Sequence, residues 1–280
     1  MHPELTGDIY FVQSGQGNAQ SDGSSQRPIN TIDNAFNISG LGVGDAIVVL
    51  PGHAEDISSG TSCVMDVAGV TVIGIGDGAN IPTLTFTNTA GSVEIDAASI
   101  KVSGIKFLAS VSAVVIGINI DAANITLEDC ILDFDATGDD FITGIDIDAV
   151  NDVTLKNVTM IMEDAAGCDE GIRLDDCDNV TIEDCHLYGD FTLGCILGEG
   201  ATGTNLLIKG CKLYNSDTSG GEVIDLNVAF TGLLIDNRCG TLFATAPETA
   251  FDPGSCLCIE NYVVNAVDES GTIVPVTLST

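Results

Sequence analysis

The chain has no tryptophan, only 5% aromatic residues, and 8 Lys+Arg to set against 41 Asp+Glu over its 280 residues. Each scarcity excludes something. A formal charge of −33 repels phosphate backbones and anionic headgroups, so neither a nucleic-acid nor a membrane partner is expected. No run reaches the roughly 18 apolar residues of a spanning helix; the longest, Leu108 to Ile120, is interrupted by Ser and Asn. The opening MHPELTGDIY has no basic stretch ahead of an apolar one, which predicts synthesis in the cytoplasm without a signal peptide. Ten cysteines are present, but neither C-x-x-C nor a Cys/His cluster of zinc type, so they are expected to be thiols. Disorder is excluded in turn: 45% of residues are hydrophobic and the mean hydropathy is +0.33, enough apolar surface to offset ordering entropy. With 32 glycines and few aromatics, the core must be built from small and branched aliphatics between many tight bends.

Internal repeats organise most of this length. The motifs VTVIGIG, IKVSGIKFL, ITLEDCILD, VTLKNVTMI, VTIEDCHLY, LLIKGCKLY, LLIDNRCG and LCIENYVVN begin at Val70, Ile100, Ile125, Val153, Val180, Leu206, Leu233 and Leu257. A second strand-like element precedes most of them: VEIDAA at Val93, INIDAA at Ile118, IDIDAV at Ile145, IRLDDC at Ile172 and IDLNVA at Ile224. Within each motif, apolar first and third places alternate with polar second and fourth places, the period of a strand with one buried face. The fifth place holds Gly74, Gly104, Asp129, Asn157, Asp184, Gly210, Asn237 and Asn261, residue types that tolerate a left-handed bend. The sixth place turns inward with Ile75, Ile105, Cys130, Val158, Cys185 and Cys211; stacked thiols there serve as small hydrophobes.

A unit of about 27 residues with short strands cannot bury its own apolar face, so it must stack on copies of itself. Spacing of two and an excess of β-branched residues argue against helical repeats. The expectation is an all-β, right-handed parallel β-helix of about 8–10 coils, rising roughly 4.8 Å per coil. Stacking then places Thr126, Thr154 and Thr181 in one outward row and Glu128, Lys156, Glu183 and Lys209 in another that alternates in sign, each opposite pair contributing roughly 0.2–1 kcal/mol. Three regions follow: residues 1–58 as an N-terminal strand, loop and capping helix, 59–268 as coils, and 269–280 as an extended tail.

The N-terminal order is more specific. A strand around Tyr10, a loop with DGSS, the helical spacing of PINTIDNAF, and then GDAIVVLPGHAE resemble the pectin-lyase-like right-handed β-helix superfamily over nearly the whole chain. The resemblance implies a short amphipathic helix over Pro28 to Ile38 that caps the open end of the solenoid, where an unpaired edge over an apolar core invites aggregation. Within the superfamily the chain is most similar to bacteriophage virion proteins such as decoration proteins, short spikes and tailspikes. That implies a non-enzymatic virion component displayed on the particle exterior, homotrimeric and bound to major capsid or other virion proteins. The alternative is a tailspike-like protein that degrades or binds a bacterial surface glycan.

Chemistry-bearing residues are sparse. The Asp clusters Asp139/Asp140 and Asp175/Asp176 lack the G-H-G and R-I-K companions of a polygalacturonase-like site. His2 lies in a tail, His53 in the first turn, and His186 at an outward place. A lyase-like site needs a basic residue beside carboxylates, and Arg173 with Glu170, Asp175 and Asp176 is the best such constellation; an acid pair there would also serve glycoside hydrolysis. Asp96, Asp121, Asp148 and Asp175 fall in one column, continued by Asn227 and Glu199. Like charges about 4.8 Å apart repel by roughly 1 kcal/mol in water, so either turn N–H groups or a cation must compensate, and Ca²⁺ suits such oxygen ligands. No other cofactor is expected. Tyr188 and Tyr214 occupy equivalent places one coil apart, the one sign of an exposed aromatic face for a glycan.

Overall fold

The computed structural model describes residues 7–136, 138–162, 168–242, 250–265 and 270–273. The chain winds as a parallel β-solenoid of about eight turns. Each coil contributes short strands to three sheets: a first sheet of ten strands, a second of ten and a third of eight. One coil runs Thr126–Glu128 in the first sheet, Ile131–Phe134 in the second and Phe141–Asp148 in the third. Coils pair in parallel, Thr126 with Thr154 and Thr154 with Thr181, so the threonine row forms. The same register sets Glu128, Lys156, Glu183 and Lys209 side by side. Lys156 and Lys209 lie 3.6 and 3.0 Å from the Glu183 carboxylate, and Lys101 pairs with Glu128.

Left-handed residues bracket the first-sheet strands. Asn124, Asp152, Asn179 and Asn205 precede them, while Gly104, Asp129, Asn157, Asp184 and Gly210 follow, all with φ between 49° and 70°. These corners let a coil of short strands close on itself without a Cβ clash at most positions.

In the last two units the fifth place is not Asn237 and Asn261. Register pairs Leu207 with Leu233 and Leu233 with Leu257, after a shift between Gly203 and Leu206. The left-handed residues are therefore Asp236 and Glu260, one position earlier. Two Leu-Leu doublets, at 206–207 and 233–234, look aligned by identity, but a bulge offsets them by one, and a one-residue slip exchanges inside for outside. Asn237 and Asn261 thus point into the core with no solvent exposure, continuing the column of Cys130, Val158, Cys185 and Cys211. Asn237 Nδ2 donates to Ile208 O and Asn261 Oδ1, its Oδ1 accepts from Cys211 N, and Asn261 Nδ2 donates to Leu234 O. All ten cysteines are buried; burial pushes Cys130 up to about 12, so it is no nucleophile.

The helix expected over Pro28 to Ile38 is reduced to five residues, Ile32–Phe36, with Thr31 Oγ1 accepting from Asn34 N. Ile29 is drawn into strand-like pairing instead, bridging Val12, because backbone pairing with the first strand outcompetes a helical turn there. Ile32, Ala35 and Phe36 are buried. Glu55 Oε2 accepts from Ile32 N (2.9 Å) and lies 3.1 Å from His53 Nε2. His53 Nδ1 accepts from Ser14 N, so the ring proton is on Nε2 and His53 is a buried structural linker. At the other end Ser270–Ile273 pairs antiparallel with Tyr262–Asn265; residues 274–280 of the expected tail lie outside the described residues.

Candidate functional site

The outward face of the third sheet gathers most of the crowded charge. Strand alternation sends Ile145, Ile147, Ile172 and Leu174 inward and leaves Asp146, Arg173 and Asp175 outside. Register places Asp146 beside Arg173 and Asp148 beside Asp175. Arg173 grips Asp146 with both arms of its guanidinium, Nε to Oδ1 at 2.8 Å and Nη2 to Oδ2 at 2.5 Å. That hydrogen bonding raises the Arg173 pKa against its partial burial, with further help from Glu170 and Glu199. Thr143 Oγ1 donates to Glu170 Oε1 at 2.8 Å, yet burial still leaves the Glu170 pKa above its usual range.

The register continues Glu170 to Gly194 to Glu222. Two strand spacings, about 10 Å, therefore separate the two glutamates along a floor formed by a glycine. Burial first, then Asp225 and Asp252, push Glu222 up to about 7. Its Oε2 is shielded from solvent without a hydrogen-bond partner. Asp225 is raised by burial, Asp252 and Glu199. A carboxyl whose folded pKa exceeds its ordinary 4.5 weakens the fold by ionising: the penalty is absent below the unfolded value and grows as pH rises toward the folded one. Thermal melts of Glu222→Gln should match wild type below pH 4.5 and exceed it progressively up to about pH 7. An unchanged difference across that range would show that Glu222 does not titrate there.

The structure brings Glu170, Arg173 and Asp175 to one face but takes Asp176 away. Asp176 sits at a left-handed corner, where its Oδ1 accepts from the N–H groups of Ala201 and Thr202 at 2.6 and 2.9 Å. It is a turn residue whose Oδ1 caps the neighbouring coil's backbone. Asp140, unlike the exposed Asp176, is buried and accepts from Ala113 N. Asp146, Glu222, Asp225 and Asp252 escaped the sequence reading, because nothing within a single repeat marks them. The alternation of VEIDAA, INIDAA and IDIDAV, carried one column inward from the Asp ladder, holds the signal for Asp146.

The Asp ladder itself is in register. At its upper end Glu94, Asp96 and Asp121 bring carboxylate oxygens within 4.8 Å of one another, while Asp148 and Asp175 lie outside that group. The backbone N–H groups of Asp96 and Asp121 donate to Met65 O and Ile95 O. Asn119 Nδ2 bridges Glu94 Oε2 and Asp121 Oδ2 at 2.8 and 3.0 Å. Burial first, then neighbouring acids, raise Asp96, Asp121 and Asp175. On the second sheet, Tyr188 and Tyr214 pair in register and their rings stack at 5.0 Å and 8°.

No known protein family matches the chain, and no curated protein does. Among solved structures, a rhamnogalacturonan lyase superposes with a TM-score of 0.50 at 12% identity, over 84% of this chain and 74% of that one. The pectate lyase Pel9A gives 0.49 at 13% identity, over 91% and 76%. An ORF18 protein of Geobacillus virus E2 gives 0.37 at 13% identity, over 84% and 57%. The likeness gives the solenoid the right-handed β-helix fold that such a lyase has. Identity this low carries the fold alone, and fold does not assign a reaction.

Proposed function

We propose that this is a non-enzymatic structural protein, displayed on the exterior of a bacteriophage particle as capsid decoration or a short spike. In this reading it is a homotrimer bound to major capsid or another virion protein, with the Ile32–Phe36 turn shielding one end of the solenoid. Any Ca²⁺ is held as a counter-ion by Glu94, Asp96 and Asp121. The observation that carries the non-enzymatic reading is the Arg173–Asp146 pair. Arg173 is the basic residue on the groove face, and its two-armed bond and raised pKa remove it as a proton acceptor. The virion assignment draws on an acidic, repeat-built solenoid with few enzyme motifs.

Incubation with pectate, rhamnogalacturonan and bacterial capsule should release neither unsaturated uronates nor reducing ends. Light scattering should return three times the chain mass at every salt concentration; a salt-independent monomer would end the trimer reading.

A second reading rests on Glu222. A carboxyl raised to about 7 facing another glutamate across Gly194 has the makings of a glycosidase acid and its partner. New reducing ends that vanish in Glu222→Gln would establish it and displace the first.

A further inference from the structure

We propose that the outward face of the second sheet, near the C-terminal coils, is a binding site for an acidic glycan, separate from the third-sheet groove. Register aligns His186, Lys212, Arg238 and Tyr262 in one row, and Tyr188, Tyr214, Gly240 and Val264 in the row beside it. All but Tyr188 line a shallow groove of about 460 Å³, and His186 also lines a neighbouring one with Tyr188, Thr159 and Ile161.

Two independent features specify the occupant. The first is aromatic surface held open to solvent. In a chain with 4 tyrosines, three stand here, Tyr188 and Tyr262 being 42% and 41% exposed. The Tyr188 and Tyr214 rings lie nearly parallel, and Tyr214 lies over Gly240, where an added Cβ would come within 2.8 Å of the ring. Any larger residue at 240 would lift the ring off the sheet. Flat aromatic faces of this kind take the C–H faces of a sugar, with the phenol oxygens left for its hydroxyls.

The second is charge. Among the described residues, seven of the eight Lys and Arg side chains are ion-paired, and Lys212 is not. Arg238 reaches only Asp236, with both side chains more than half exposed, an arrangement worth little in water. A cationic row is maintained in a protein of net charge −33, and it stands one strand spacing apart, about 4.8 Å, per residue. At physiological salt the screening length is about 8 Å, so a bound anion feels this row, with Asp236 and Glu260 at its Arg238 end, more than the acids of the other two sheets. The fit is a saccharide whose carboxylates or sulfates meet Lys212 and Arg238 while its rings lie on the tyrosines.

Calorimetric titration with oligogalacturonate and with a sulfated oligosaccharide, against neutral dextran of equal length, tests the site. At least one acidic probe should bind, dextran should not, and Lys212→Glu and Tyr214→Ala should each weaken binding about tenfold or more, near 1.4 kcal/mol. Lys209→Glu makes the same charge change on the first sheet and should leave affinity within about twofold. Circular dichroism melts establish that each variant is folded, and Lys212→Gln stands in for any that is not. The proposal is overturned if neither acidic probe binds, if dextran binds equally, or if Lys209→Glu and Lys212→Glu lose the same affinity. It is also overturned if Lys212→Glu changes the oligomeric mass instead, which would make this face a contact between copies. None of these outcomes depends on whether the third-sheet groove is catalytic or on where the protein is displayed.

Discussion

Replacing Asn237 with leucine should destabilise the solenoid by about 3 kcal/mol or more, although the substitution makes the core more apolar. Asn237 has no exposed surface and binds three coils together: its Nδ2 donates to Ile208 O at 2.9 Å and to Asn261 Oδ1 at 2.8 Å, and its Oδ1 accepts from Cys211 N at 3.0 Å. Leucine leaves Cys211 N–H without its Asn237 acceptor in the core, at roughly 1–3 kcal/mol, and removes the two Nδ2 bonds, at about 0.5–1.5 kcal/mol each. Asn261 keeps a donor in the Asn237 backbone N–H, which bounds the loss. The contrast is Asn157, an exposed corner residue whose Nδ2 meets Asp129 Oδ1; Asn157→Gly should cost no more than a few tenths of a kcal/mol, since glycine accepts the same left-handed backbone. Thermal melts of the two variants decide the matter: equal shifts would mean that the inward asparagines contribute no more than the outward ones. Because coils unfold as coupled neighbours, hydrogen exchange should show the Asn237→Leu loss concentrated in the C-terminal coils.

Gly144→Val should be at least as damaging, through volume. A Cβ at Gly144 would lie 2.6 Å from Gly171 O in the next coil and 2.6 Å from the Met160 methyl. The methionine can swing away; the carbonyl cannot without breaking the third-sheet register. Gly117 and Gly171 face the same obstacle, a neighbouring carbonyl at 2.7 and 2.6 Å, so three consecutive coils approach each other here at glycine spacing. Overpacking of this sort costs about 1–3 kcal/mol for a methylene and more for a branched side chain against rigid backbone. Gly15→Ala meets nothing within 4 Å and should be neutral or slightly stabilising through the unfolded chain. Comparable melting temperatures for Gly144→Val and Gly15→Ala would refute the close-approach account.

These two positions mark where the sequence was readable and where it was not. The period of two, the bend residues and the repeat spacing are local properties, so the β-helix, its inward cysteine column and the alternating Glu/Lys row were all visible from residues alone. The pairing of Tyr188 with Tyr214 was visible for the same reason, since both motifs end in the same KLY/HLY cadence. The last two units were misread by one place because a Leu-Leu doublet recurs on both sides of a bulge, and identity between motifs outweighs a backbone irregularity that leaves no residue signature. Arg173 was recognised as the notable base, but its neighbours were chosen by proximity in sequence, which favours Asp175 and Asp176. The residue that grips it, Asp146, lies one coil away, and Asp176 is spent on a turn.

The sequence by itself determined the class of fold, the corners of most coils and the strongly acidic surface, because strand alternation and left-handed bends are settled over a few residues. Only the tertiary structure decided which side chains share an electric field. Stacking brings residues some 27 apart in the chain to about 4.8 Å in space, close enough for Asp146 to hold Arg173, for Asp252 to raise Glu222, and for Lys212 and Arg238 to stand in one row. The scarce positive charge that first marked the chain is therefore placed by register: most of it neutralises acids between coils, and the remainder gathers beside the tyrosines on the second sheet.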